Sequence, residues 1–241
     1  MSLENKIALV TGASRGIGAA IATRLAREGA FVYVHFSQSE DKAEAVLANI
    51  RALGGDGQTI GFDISHLENT RNALAPIENL DILVNNAGFA SFGPLESASI
   101  DDFDAIFALN TRGLFFLTQA LLLKLRENGR IINISSGITR VNAAGGSVYA
   151  ASKSAVEAFT RSWASELGPR GITVNTVSPG MTETDLLRAV TTPESLEKMK
   201  LETPLGRIGQ PADIADVVAF LCSDEARWIT ANNLLANGGV G

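Results

Sequence analysis

The stretch KIALVTGASRGIGAAIATRLAREG (6–29) decides how this chain folds. Its opening, KIALVTG (6–12), is a short apolar run rich in strand-forming residues and stopped by glycine. Its close, GAAIATRLAREG (18–29), carries the apolar spacing of a helix and ends at Gly29. Between them lies TGASRGIG (11–18), with glycines at 12, 16 and 18. Glycine there permits a tight turn and close backbone approach, and the helix that follows offers its N-terminal amides to a pyrophosphate. A G-x-x-x-G-x-G run between a first strand and a first helix therefore reads as a nucleotide loop rather than an ordinary turn. Gly12, Ser14, Arg15, Gly16, Ile17 and Gly18 are its candidate contacts.

Working outward, the same alternation continues along the chain. Further strands are expected at 30–36, 58–63, 80–86, 129–136, 171–179 and 232–237. Helices are expected at 40–55, over one long stretch at 103–125, and from near Tyr149 onward. Strands that are apolar almost throughout, with helices between them, indicate an α/β fold: a parallel sheet covered on both faces and doubly wound. No linker, repeat or low-complexity segment interrupts the pattern. The expectation is one Rossmann-like domain over 1–241, with the dinucleotide part at about 1–135 and the catalytic and substrate part at about 136–241.

Composition narrows the function classes. Of 241 residues, 26 are Asp or Glu and 20 are Lys or Arg, for a net charge of −6. No basic run supplies the face that phosphate neutralisation needs, so nucleic acid is not an expected partner. The single cysteine, Cys222, provides neither a disulfide framework nor a thiolate cluster, and His35 and His66 lack ligand spacing, so no metal is expected. The N-terminus runs straight into a strand, without the charged start and apolar stretch of a signal peptide, and no run is long enough to span a bilayer. A cytoplasmic protein, free of the membrane, is the expectation.

In doubly wound sheets, ligands bind beyond the carboxyl ends of the strands. The second strand ends at Phe36 and Ser37, with no carboxylate before Glu40, while Arg15 sits in the glycine loop. An acid there would bind a ribose 2′-hydroxyl and repel a 2′-phosphate, so its absence favours NADP(H), with NAD(H) the alternative. Asp63, with Ile64 beside it, either accepts from an adenine amino group or caps the next helix. NNAG (85–88) places Asn86, Ala87 and Gly88 as a wall on which a ring or ribose can lie. Ser135 and Ser136 end the fifth strand, Asn110 lies in the long helix, and SPGMTET (178–184) turns the chain over the crevice with Pro179, Gly180, Thr182 and Thr184.

YAASK (149–153) completes the set. Together, TGASRGIG, NNAG, Asn110, Ser136, YAASK and SPGMTET resemble, in order and spacing, the short-chain dehydrogenase/reductase family, over essentially the whole chain and closest in look to bacterial 3-ketoacyl-type and general carbonyl reductases. The resemblance implies an oxidoreductase that moves hydride between nicotinamide and a carbonyl or secondary alcohol. It makes Tyr149 the acid–base residue, with Lys153 lowering its pKa and binding the nicotinamide ribose. It makes Ser136 the holder of the substrate oxygen and Asn110 the support of a proton relay. It further implies a pocket of Phe89, Phe92, Ile138, Val141, Leu186 and Leu187, a lid at about 183–203 that includes Met199, and a homotetramer or homodimer. Arg170 fits carrier-protein docking, whereas Glu127 stands where a second basic residue is expected. Only 22 residues separate Asp63 from Asn85, so the helix between them should be short, and Ala231 stands where glycine is common. A nucleotide-binding regulator with the same fold is the rival reading.

Overall fold

Ala8 and Val10 of the first strand face one side and Leu9 the other, and all three are fully buried. A strand apolar on both sides needs cover on both. In the computed structural model, which describes residues 2–240 apart from the side chains of Leu67, Asn69, Leu186, Ala189 and Val190, that cover is complete. The strands are β1 (Ile7–Val10), β2 (Phe31–Phe36), β3 (Asp56–Gly61), β4 (Leu80–Asn85), β5 (Leu125–Ile134), β6 (Thr173–Pro179) and β7 (Asn233–Ala236). They form one parallel sheet in the order β3-β2-β1-β4-β5-β6-β7. The helices are α1 (Gly16–Arg27), α2 (Glu40–Ala52), α3 (Leu67–Ala73), α4 (Ile100–Phe107), α5 (Leu114–Leu121), α6 (Ser147–Leu167), α7 (Asp185–Val190), α8 (Pro193–Glu202) and α9 (Pro211–Cys222).

One face of the sheet is packed by α1, α2 and α9 through Ile21, Leu25, Ile50 and Val218. The other is packed by α5 and α6 through Leu114, Leu117, Val156 and Trp163. The seven-strand, doubly wound architecture read from the sequence is the one observed. The helix α3 is the short one expected, at 7 residues. No helix among the described residues is long and apolar enough to cross a membrane.

Two expectations need correction. The single helix expected over 103–125 begins at Ile100, where Ser99 Oγ accepts from Asp102 N at 3.0 Å, and is interrupted by a π-helical turn at Ala108–Gly113. The wide turn lets Asn110 point into the body of the protein, where it is fully buried. The strand expected over 129–136 begins earlier, at Leu125, which pairs with Leu80 before the register shifts to Ile82 and Arg130. Lys124 anchors this entry by donating to the Leu74 and Ile77 carbonyls at 2.8 and 2.6 Å. The strand ends at Ile134, which leaves Ser135 and Ser136 just beyond it.

Ala231 adopts φ +61°, a left-handed conformation that costs an L-residue but not glycine. Ala231→Gly should therefore gain about 0.5–1 kcal/mol, net of the extra freedom of unfolded glycine. Thermal melts should show this as a rise of about 1–4 °C.

Candidate active site

Neighbouring β1 and β4 connect onward in opposite directions, so a crevice opens beyond their carboxyl ends. The glycine loop leaves one strand and NNAG the other. Gly12 has φ +62°, and a Cβ there would lie 3.0 Å from Ala87 Cα. A Cβ on Gly18 would collide with the Gly12 carbonyl oxygen and lie 2.5 Å from Asn86 Nδ2. Polar bonds lock the two loops together. Asn86 Nδ2 donates to the carbonyls of Thr11 and Gly12 at 2.8 and 3.1 Å, while Thr11 Oγ1 accepts from the amides of Asn86 and Ala87, both at 2.9 Å. Arg15 precedes α1 in extended backbone and is exposed, as is Ser37 at the end of β2; Ser14 and Ile17 are half-buried.

The second wall carries the side chains from the end of β5 and the first turns of α6. Lys153 is buried, and its Nζ donates to the Ile134 carbonyl at 2.8 Å and lies 5.9 Å from the centre of the Tyr149 ring. Burial without a counter-anion lowers its pKa to about 8. Burial raises the Tyr149 pKa above the ordinary tyrosine value, and a hydrogen bond with Ser136 offsets this only in part. The lowering expected from Lys153 does not outweigh the burial. Asn110 accepts from Phe89 N at 3.0 Å, donates to Phe89 O at 2.9 Å and donates to Ser152 Oγ at 3.1 Å. A Cβ on Gly88 would lie 2.9 Å from Asn110 Oδ1 and 3.2 Å from Lys153 Nζ. Asn110, Ser136, Tyr149, Lys153 and Gly88 therefore meet in one place.

Around them, the Phe92 ring meets Tyr149 edge-on at 5.9 Å, and Ile138 and Phe89 are half-buried. Val141 and Met181 are 42% and 50% exposed. Thr184 lies over the glycine loop, 3.5 Å from where a Gly16 Cβ would stand, and its hydroxyl caps α7. Thr182 is buried and donates to the Gly180 carbonyl at 3.0 Å. The segment expected as a lid is built of α7 and α8, in which Leu187 is buried and Met199 half-buried, while the Leu186 side chain lies outside the described residues. The Asp63 carboxylate accepts from Ser65 N and Oγ at 2.9 and 2.7 Å and lies 3.1 Å from His66 Nδ1. It closes a turn before α3 instead of capping that helix, whose N-cap is His66. Arg170 is paired with Glu127 at 2.9 Å and also donates to the Leu122 and Leu125 carbonyls, so its guanidinium is spent on the fold and does not stand free for docking.

Residues 12–241 match the family model described as Enoyl-(Acyl carrier protein) reductase. An uncharacterised oxidoreductase of Methylorubrum extorquens is 44% identical over 99% of this chain and 98% of its own. Versicolorin reductase 1 of Aspergillus parasiticus is 40% identical over 99% and 97%. The chain belongs to the short-chain dehydrogenase/reductase family and is an oxidoreductase. Among solved structures, the angucycline C-6 ketoreductase LanV with bound NADP is similar, with a TM-score of 0.92 and 40% identity over 99% of this chain and 96% of that one.

Within this member of the family, the structure adds two buried groups that the sequence reading left aside. Glu157, one turn beyond Lys153 on α6, accepts from Ser135 Oγ at 3.0 Å and from Thr139 Oγ1 at 2.7 Å, so it grips the loop on both sides of Ser136. The i, i+4, i+8 spacing of Tyr149, Lys153 and Glu157 was the available signal. The other is His35, of which the sequence showed only that it lacks ligand spacing. It is fully buried, accepts from Gly12 N on Nδ1 at 3.0 Å and donates from Nε2 to the Phe62 carbonyl at 3.0 Å. An amide can only donate and a carbonyl only accept, so the ring is the neutral Nε2–H tautomer.

Burial lowers the His35 pKa to about 4, against an unperturbed value near 6.5. The unfolded chain thus takes up this proton before the folded protein does. Stability from this source is intact above pH 6.5 and falls as pH drops toward 4, by up to about 3 kcal/mol. Urea unfolding between pH 4 and 7 should show that part of the slope in the wild type and not in His35→Asn.

Proposed function

We propose that the protein is an NADP(H)-dependent carbonyl reductase that interconverts an apolar ketone and its secondary alcohol, with Tyr149 as the acid–base residue. The observation that carries this reading is the meeting of Tyr149, Ser136 and Lys153 beside the glycine loop, at the switch point of the sheet. The crevice suits a dinucleotide. Its floor at Gly12, Gly18 and Gly88 has no room for a side chain, and the α1 amides face a pyrophosphate position. The exposed Arg15, with no carboxylate at Ser37, favours the 2′-phosphate, and the similar LanV has NADP bound. When bound, nicotinamide supplies the hydride.

The side chains supply the rest. The Tyr149 phenol, kept protonated through neutral pH by its burial, gives its proton to the carbonyl oxygen during reduction. Ser136 donates a hydrogen bond to the same oxygen and fixes its position. Lys153 spends one N–H on Ile134, leaving two donors for the nicotinamide ribose. Its charge, together with that of oxidised nicotinamide, opposes the effect of burial on Tyr149 and returns the phenol toward a working pKa. Asn110 holds Phe89 and Ser152 and so shapes the space through which the proton is replenished. Phe92 against the Tyr149 ring and Ile138 beside Ser136 make the surroundings of the reacting oxygen apolar, which favours an apolar ketone.

Titration with NADPH and NADH side by side tests the cofactor. NADPH should bind more tightly, and Arg15→Ala should weaken it about tenfold while sparing NADH. Preference for NADH removes the phosphate assignment, and binding without turnover of any carbonyl favours a regulator. With a ketone substrate, Tyr149→Phe should cut kcat about 10³-fold with NADPH affinity within about twofold; undiminished turnover takes Tyr149 out of the mechanism. Reductive turnover should stay level through neutral pH and decline above about 8, where Lys153 loses its charge.

A further inference from the structure

We infer that His35, buried behind the crevice floor, is a positioning residue for dinucleotide binding: its Nδ1 sets the Gly12 amide and with it the path of the glycine loop. The inference rests on the reading that the crevice takes NADP(H). Gly12 is the point where the chain leaves the sheet and turns, at φ +62°, toward α1. Its carbonyl is held by Asn86 Nδ2 at 3.1 Å, and a Cβ on it would meet Ala87 and Asn86. Its amide is held by the His35 ring, at 3.0 Å.

The ring cannot drift. Nε2 is tied to the Phe62 carbonyl at 3.0 Å, and the imidazole packs on the Phe62 ring with centroids 4.1 Å apart. Residue 35 therefore receives two successive loop amides, Gly12 on its side chain and Ala13 on its main-chain carbonyl at 2.8 Å. Only the first depends on which residue stands at 35. Through that ring, the end of β3 is coupled to the loop after β1, so the phosphate side and the adenine side of the crevice share one internal strut. Without an acceptor at Nδ1, the half-buried Gly12 amide loses its protein partner, and the loop must shift to find another.

The test separates the two ends of the ring. In His35→Asn, Oδ1 sits on Cγ where Nδ1 does, so the Gly12 acceptor is kept and the Phe62 bond is lost. In His35→Gln, the amide reaches toward Phe62 and Cγ bears no acceptor. Calorimetric titration of each folded variant with NADPH should give a Kd raised about tenfold for Gln and within about threefold of wild type for Asn. His35→Leu, which fills the core without any acceptor, should behave like Gln and takes its place if Gln does not fold. Equal affinities for all variants, or an Asn variant as weak as Gln or Leu, overturn the assignment. A wild type that binds neither NADPH nor NADH brings down the cofactor reading itself, and this inference with it.

Discussion

The Gly12 carbonyl lies where a Cβ on Gly18 would have to be, and the crevice is assembled outward from that contact. Because the two glycines touch, α1 can begin immediately beyond β1 and aim its free amides over the sheet edge. Because no side chain fills the gap, the Asn86 amide can enter it and bind the loop carbonyls, which draws NNAG against the loop. Thr11 answers from the other side by accepting both amides of that turn. A methyl group at Gly18 would separate all of these partners at once. The binding surface is therefore a consequence of backbone packing more than of any charged side chain.

The opposite wall depends on a different constraint, a buried ammonium with no carboxylate beside it. Lys153 has one carbonyl for company, and its pKa is lowered because burial holds its charge away from water. Glu157, one turn further along the same helix, accepts from the hydroxyls of Ser135 and Thr139 and lies 3.8 Å from the Arg140 guanidinium. That engagement fixes the loop that carries Ser136. A phenol and an ammonium with unused hydrogen-bonding capacity remain side by side, next to Gly88.

Much of this was legible from local pattern. Apolar runs flanked by helical spacing gave away seven strands and their parallel pairing; TGASRGIG and NNAG marked the strand ends that meet, and YAASK the helix start that joins them. Where the structure goes beyond that pattern, the deciding contact lies far away in the chain. Residues 103–125 carry a continuous helical pattern, yet Asn110 bonds to Phe89 and Ser152 and the helix widens to let it. Arg170 looks like a free surface cation until Glu127 and two carbonyls close on it. His35 sits in a run of strand residues and gives no sign that Gly12 is its partner.

The sequence by itself determined the layer architecture, the positions of the turns and the chemical types at the strand ends, since these follow from short-range periodicity and from what glycine alone can do. The tertiary structure decided the electrostatics: which hydroxyl or amide each buried group would meet, how far burial would move Tyr149, Lys153 and His35, and which charges would be consumed by the fold. A pKa is set by the whole surroundings of a group, and those surroundings exist only once β1, β4, β5 and α6 have been brought together.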